Sequence, residues 1–247
     1  MSMRPVCLNQ FFLASIMTLY HAAAVHAGPI INTPTGLNPG DHFRIAFLTD
    51  GKSTAVSPDI AGYNAFVNAE AGGATFNGAT VQWFAIASTI TTSAFDNIQS
   101  TTSAPVYLND GTQVATSLTT SPGGLWSGSL INPINQTLDG VSVSPYYAHV
   151  WSGTSENGDI TSNPFGALGS PFASVTGWAA LTTNEWINQT ANTVDSAYHF
   201  YAISEQLTVS SVSSVPEPST AALLGVALGG LIVSQARTRR LKKMSRV

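Results

Sequence analysis

The chain has 247 residues, nine bases against thirteen acids and a formal net charge of −4. The charges are unevenly placed: residues 28–214 hold two bases, Arg44 and Lys52, and twelve of the acids, so this stretch carries a net charge of −10. With no clustered Lys or Arg to neutralise phosphates, that composition excludes a nucleic-acid footprint and disfavours anionic lipid and sulfated glycans. Neutral sugars and divalent cations fit it better, and simple solubility accounts for it equally well. Cys7 is the one cysteine. It lies in the first 27 residues, so the rest of the chain must be held by its core rather than by disulfides.

In chain order, residues 1–27 come first. A base at Arg4, an apolar stretch at 11–20 and the small residues of Val25-His26-Ala27 form a secretory signal peptide, with cleavage by signal peptidase expected between Ala27 and Gly28. Residues 43–49 read as a strand between the Asn38-Pro39-Gly40-Asp41 turn and Asp50-Gly51. A helix follows: Ser57 is the expected N-cap, Pro58 the first helical residue, and Gly72-Gly73 the stop. Ile60, Tyr63 and Val67 recur at helical spacing and should pack it on a sheet. Residues 81–88 are almost continuously apolar and read as a central strand. Residues 92–98 read as a short helix, and 106–108 as a strand ending in the Asn109-Asp110-Gly111-Thr112 turn. Two apolar-Trp-Ser-Gly units recur, at 125–130 and 149–154, too few to make a repeat architecture. Residues 198–209 alternate and form the last strand. The expected class is α+β: mainly antiparallel β with one clear helix, in an exported domain over 28–214.

Residues 215–247 differ from everything before them. Val215-Pro216-Glu217-Pro218-Ser219-Thr220 leads into an uncharged stretch reaching residue 236, about the shortest helix that crosses a bilayer. Arg237, Arg239, Arg240, Lys242, Lys243 and Arg246 follow, and would stay cytoplasmic by the positive-inside rule. Motif, spanning segment and basic tail resemble the PEP-CTERM sorting signal, with Pro216, Glu217 and Pro218 as its signature. The resemblance implies a Gram-negative exporter that builds an exopolysaccharide or biofilm matrix. It implies a membrane-bound protease of the exosortase type as processing partner. It also implies transit anchored in the inner membrane and a final place at the cell surface or outside the cell. A second resemblance covers residues 85–209. Ala85-Ile86-Ala87-Ser88, Pro105-Val106-Tyr107-Leu108, the two Trp-Ser-Gly units, Thr176-Gly177-Trp178 and Tyr201-Ala202-Ile203 are similar in order to the endostatin-type branch of the C-type-lectin-like fold. That branch's disulfides, heparin-contacting arginines and N-terminal zinc histidine have no counterpart. The Glu-Pro-Asn, Gln-Pro-Asp and Trp-Asn-Asp signatures of sugar-binding C-type lectins are also missing.

Little else in residues 28–214 points to chemistry, and no enzyme is expected. His42, His149 and His199 stand at no metal-ligand spacing. The Gly-x-Ser-x-Gly elbow is absent, since Gly124-Leu125-Trp126-Ser127-Gly128 has the wrong spacing. A secreted hydrolase, built on a serine–histidine–acid triad meeting in space or on paired carboxylates among Glu156, Asp159, Glu185 and Glu205, is one alternative. No cofactor is expected. The one ion for which donors exist is calcium, with Asp110 in one turn and Glu156, Asn157 and Asp159 in another as candidate ligands. None of these strings matches the twelve-residue calcium loop, and all are ordinary turn formers. Trp83, Trp126 and Trp151 are expected in the core. Trp186, set among Asn184, Glu185 and Asn188, is the ring offered to a ligand. The expected role is a non-enzymatic surface or matrix protein associated with exopolysaccharide, the other alternative being a calcium-assisted carbohydrate-binding module.

Overall fold

The computed structural model describes residues 28–100, 103–143, 148–161 and 166–211. The expected signal peptide with Ala27, the motif Pro216, Glu217 and Pro218, the apolar stretch after it and the basic residues Arg237, Arg239, Arg240, Lys242 and Lys243 lie outside the described residues. Among the described residues no helix is long and apolar enough to cross a membrane. The elements in order are β1 (His42–Leu48), α1 (Ile60–Glu70), the hairpin β2 (Thr75–Phe76) and β3 (Ala79–Thr80), β4 (Trp83–Ala85), α2 (Ala94–Asn97), β5 (Val106–Tyr107), β6 (Gln113–Ala115), β7 (His149–Trp151), β8 (Ala173–Trp178), a 3-10 turn at Asn184–Trp186, β9 (Thr190–Thr193), β10 (His199–Ser204) and β11 (Leu207–Thr208). Among the described residues the protein is mainly β with one clear helix.

One sheet organises the molecule, in the order β6-β5-β1-β10-β7-β8-β9. β4 continues the β7 side of β10, and β11 continues the β10 side of β1. The pairings β1–β5 and β10–β7 are parallel, and the others in this sheet are antiparallel. Successive side chains on a strand point to opposite faces, and here both faces are covered. Phe43, Ile45 and Phe47 of β1, with Phe200 and Ala202 of β10, enter a core beneath α1. Ala46 and Leu48, with Tyr201 and Ile203, enter a second core roofed by the long loops between residues 94 and 187. The β1–β10 register, Ala46 opposite Ile203 and Phe47 opposite Ala202, keeps the two sets apart. A slip of one residue would exchange them, so the register is fixed by both cores at once. Arg44, one of the two bases of the body, lies in the second core. It donates to the carbonyls of Ile98 at 2.8 Å and Ser204 at 3.1 Å.

α1 begins two residues later than the sequence suggests. Asp59, not Ser57, is the N-cap: its carboxylate accepts from the Ala61 N–H at 2.9 Å, while the Ser57 hydroxyl accepts from Asp59 N–H. Asp59 wins because its own backbone is extended, with φ −98° and ψ 118°, as a cap requires. Tyr63 and Val67 are buried as predicted, and Ile60 packs at the margin of the same core. The apolar stripe is narrow because two asparagines one turn apart share the inward face. Asn68 donates to the Trp83 carbonyl at 2.6 Å and accepts from the Trp83 N–H at 3.0 Å. Asn64 accepts from the Ala85 N–H at 2.8 Å, and Asn97, paired with Asn64, donates to the Ala85 carbonyl at 2.8 Å. These amides take the place of a neighbouring strand along the outer edge of β4.

That arrangement corrects the reading of residues 81–88 as a central strand. Only Trp83–Ala85 is strand, and it is paired to a strand on one side alone, with β10. Its apolar run reflects burial between helix and sheet rather than a strand on either side. The last strand also differs: it is broken at Glu205-Gln206 into β10 and β11. β9, mostly polar, and the β2–β3 hairpin, turned by Asn77 and Gly78 at positive φ, gave no apolar alternation to predict them from, and β8 alternates only over Ala173-Ser174-Val175-Thr176, too short a run to stand out.

Candidate functional site

The proposed calcium donors do not converge. Asp110 sits in the β5–β6 turn, where its carboxylate accepts from the Thr112 N–H at 2.8 Å and the Gln136 amide at 3.1 Å. Burial pushes this carboxyl up, but the bonds from Thr112 and Gln136 outweigh it and hold it below its ordinary value. Glu156 accepts from the Asn188 amide at 3.2 Å. Asp159 uses its backbone carbonyl to close its turn, accepting from the Ser155 N–H and the Thr154 hydroxyl. Asn157 and Asp159 point to solvent. Strands β1 and β10 stand between the Asp110 turn and the loop after β7. Among the described residues no three His, Cys, Asp or Glu are grouped to hold a metal ion. The 156–159 loop has a packing task instead: Gly158, at φ +83°, lies flat on the ring of Trp126, and a Cβ there would come within 2.8 Å of it.

The histidines go to three separate places. His42 shares a hydrogen bond with the Thr208 hydroxyl at 2.9 Å. His199 is buried, with Nδ1 2.7 Å from the Thr49 carbonyl, so Nδ1 carries the proton. His149 lies 3.5 Å from the Thr176 hydroxyl. Burial lowers the affinity of both His149 and His199 for a second proton.

The tryptophans divide four to one. Trp83, Trp126 and Trp151 are in the core, as expected, and so is Trp186. The reading of Trp186 as a ligand-facing ring is therefore corrected. Its ring lies 6.3 Å from that of Trp126 and 5.3 Å from that of Tyr201, and its carbonyl accepts from the Tyr201 hydroxyl at 2.9 Å. Its polar neighbours misled because they belong to a 3-10 turn whose other residues, Asn184 and Glu185, face solvent while Trp186 faces inward.

Trp178, at the end of β8, is the one left partly open to solvent. Register places it opposite His149, and Thr176 opposite Trp151, all on one face of the sheet. The Trp178 and His149 ring centres are 6.0 Å apart, edge to face. His149 lies 5.0 Å from Tyr198, and Tyr198 lies 5.0 Å from Trp151. Trp151 fixes the inner end of this strip by donating to the carbonyls of Ser53 and Ser196. Trp178, His149 and Tyr198 are each half-buried, so ring surface remains in contact with water.

One half-buried amide borders the strip and is held from below by the buried Thr176. Asn192 on β9 donates to the Thr176 hydroxyl at 2.8 Å, and its amide oxygen lies 3.5 Å from the Tyr198 hydroxyl. Thr176 in turn donates to the Thr190 carbonyl at 3.2 Å. The indole N–H of Trp178 is buried without a hydrogen-bond partner, as are those of Trp83 and Trp186 in the core. With His149 neutral, none of Trp178, His149, Tyr198, Thr176 and Asn192 carries a charge. Sequence reading offered Trp186 rather than Trp178 to a ligand and did not bring His149, Tyr198, Thr176 and Asn192 together. The one available signal is the His149–Trp151 alternation, which places two rings on one face. No protein-family model matches the chain, and no curated protein is significantly similar to it.

Proposed function

We propose that the chain is an exported, non-enzymatic surface or matrix protein. A signal peptide over residues 1–27 delivers it, and a PEP-CTERM-type signal over 215–247 holds it in the inner membrane. An exosortase-type protease then processes it near Pro216, Glu217 and Pro218. The observation that carries this reading is the order of motif, spanning-length apolar stretch and six bases in the last eleven residues. The body over 28–214 is read as a variant of the C-type-lectin-like fold. Its support is the order of the short segments together with a sheet that carries a helix on one face and long loops on the other.

The test is the mass of the protein recovered from cells with and without the sorting protease. Loss of the C-terminal segment only when the protease is present is the expected result. An intact tail in both strains, or recovery from the cytosol with residues 1–27 attached, refutes the proposal. The carbohydrate-binding reading is kept beside it because of one feature, the half-open rings around Trp178.

A further inference from the structure

We infer that the Trp178–His149–Tyr198 strip is a binding platform for an uncharged polysaccharide, with Asn192 at its polar rim, held in place by the buried Thr176 hydroxyl. This rests on the reading of the protein as an exported matrix component and supplies the contact which that reading lacks. A pyranose ring has an apolar C–H face and a rim of hydroxyls. Adjacent half-open rings fit the first, because aromatic side chains give large, rigid apolar area at little entropic cost. The side-chain amide of Asn192 beside the rings fits the second, since few, well-placed polar groups set orientation in such sites. The charge pattern selects the ligand further. The strip has no formal charge, and the body around it has a net charge of −10, so an anionic glycan would be repelled.

The position of the strip agrees with a tethered protein. Tyr198 immediately precedes β10, whereas the described chain leaves after β11, which pairs with the start of β1 through Thr208 and His42. From Tyr198 to Thr208 the chain runs nearly the length of the sheet, roughly 30 Å at about 3.3 Å per residue. The strip and the point where the described chain leaves therefore stand toward opposite ends of the sheet.

The experiment is electrophoresis of the full chain, in mild detergent, through native gels cast with soluble neutral polysaccharides (a β-glucan, a mannan and a galactan) or with alginate as the anionic comparison. Retardation in at least one neutral gel and none in alginate is expected. The apparent affinity should fall by about tenfold or more in Trp178→Ala and in Tyr198→Ala, at unchanged mobility in an empty gel. Trp178→Phe provides a check that does not depend on losing the fold. The bound polysaccharide should shift the tryptophan emission of the parent chain to the blue and leave the emission of Trp178→Phe unmoved, because the other four indoles are buried. Absence of retardation in every neutral gel, or equal retardation of parent and variants, overturns the inference, as does an emission shift that survives in Trp178→Phe. Processing without binding would refute the platform alone, and binding without processing would refute the sorting signal alone.

Discussion

The asparagines of α1 allow a quantitative test of how this fold closes a strand edge. Asn68→Ala removes an acceptor 3.0 Å from the Trp83 N–H and a donor 2.6 Å from the Trp83 carbonyl. Both main-chain groups then face a helix rather than bulk water. Leaving a buried donor or acceptor unpaired costs about 1–3 kcal/mol each, and the half-buried setting favours the lower part of that range. Alanine returns up to about 0.7 kcal/mol through its better helix propensity. The expected net loss is about 2–3 kcal/mol. With a urea slope of about 1–3 kcal/mol/M, the unfolding midpoint should fall by roughly 1–2 M with the slope unchanged. Asn68→Asp separates donor from acceptor. It can still accept from the Trp83 N–H, but at neutral pH it sets a carboxylate against the Trp83 and Asn64 carbonyls. It should be as unstable as alanine at neutral pH and recover as the pH falls and the protonated carboxyl donates again. The control is Ala65→Ser on the exposed face of the same helix, expected within about 0.5 kcal/mol of the parent. An Asn68→Ala midpoint indistinguishable from the parent's would show that water satisfies the edge of β4 without help, and would refute the account of α1 given above.

Three further outcomes are expected. Trp186→Ala should cost about 3–5 kcal/mol by urea unfolding, as for a large aromatic removed from a packed core; a cost below about 1 kcal/mol would return Trp186 to the surface. Gly177→Ala, in the middle of β8, should destabilise by about 2 kcal/mol or more. A Cβ there meets the main chain of Trp186 and Ile187, which is pinned by the Tyr201 hydroxyl and cannot swing aside as a side chain would; a wild-type midpoint would show that the 3-10 turn is not seated on β8. Stability should also depend on pH through His199. Burial holds the pKa of the folded imidazole below the ordinary value near 6.5, so the unfolded chain takes up the proton first. The contribution is fully present above that ordinary value and is lost as the pH falls through it toward the folded value. The difference in stability between the parent and His199→Asn should therefore shrink on acidification from about pH 8 to about pH 5, and a constant difference would refute the assignment.

Local chemistry alone was enough to read α1, the β5–β6 turn, β1 and the class of the fold. Each carries its instruction within a few residues: a Ser-Pro-Asp start and a pair of glycines for the helix, even though the cap proved to be the aspartate, Asn-Asp-Gly-Thr for the turn, and a bounding turn at each end for the strand. The core positions of Trp83, Trp126 and Trp151 follow from apolar neighbours in the same way. The proposed sorting signal over 215–247 rests on composition and order along the chain alone and lies outside the described residues.

The rest was decided by contacts between distant segments. Residues 81–88 look central because they are apolar, but α1 takes one side of the strand, and its inward asparagines look like surface residues until β4 lies beside them. Trp186 looks exposed because of its neighbours, yet a 3-10 turn gives adjacent residues different environments. Candidate calcium ligands in two turns are kept apart by β1 and β10. The aromatic strip joins His149, Trp178 and Tyr198, none of them fewer than twenty residues from another, and only the registers of β7 on β8 and on β10 set their rings on one face. A pattern along a chain reports what each residue prefers for its own backbone and nearest turn; which side chains share a surface depends on strand pairing, fixed by the two cores on either side of the sheet.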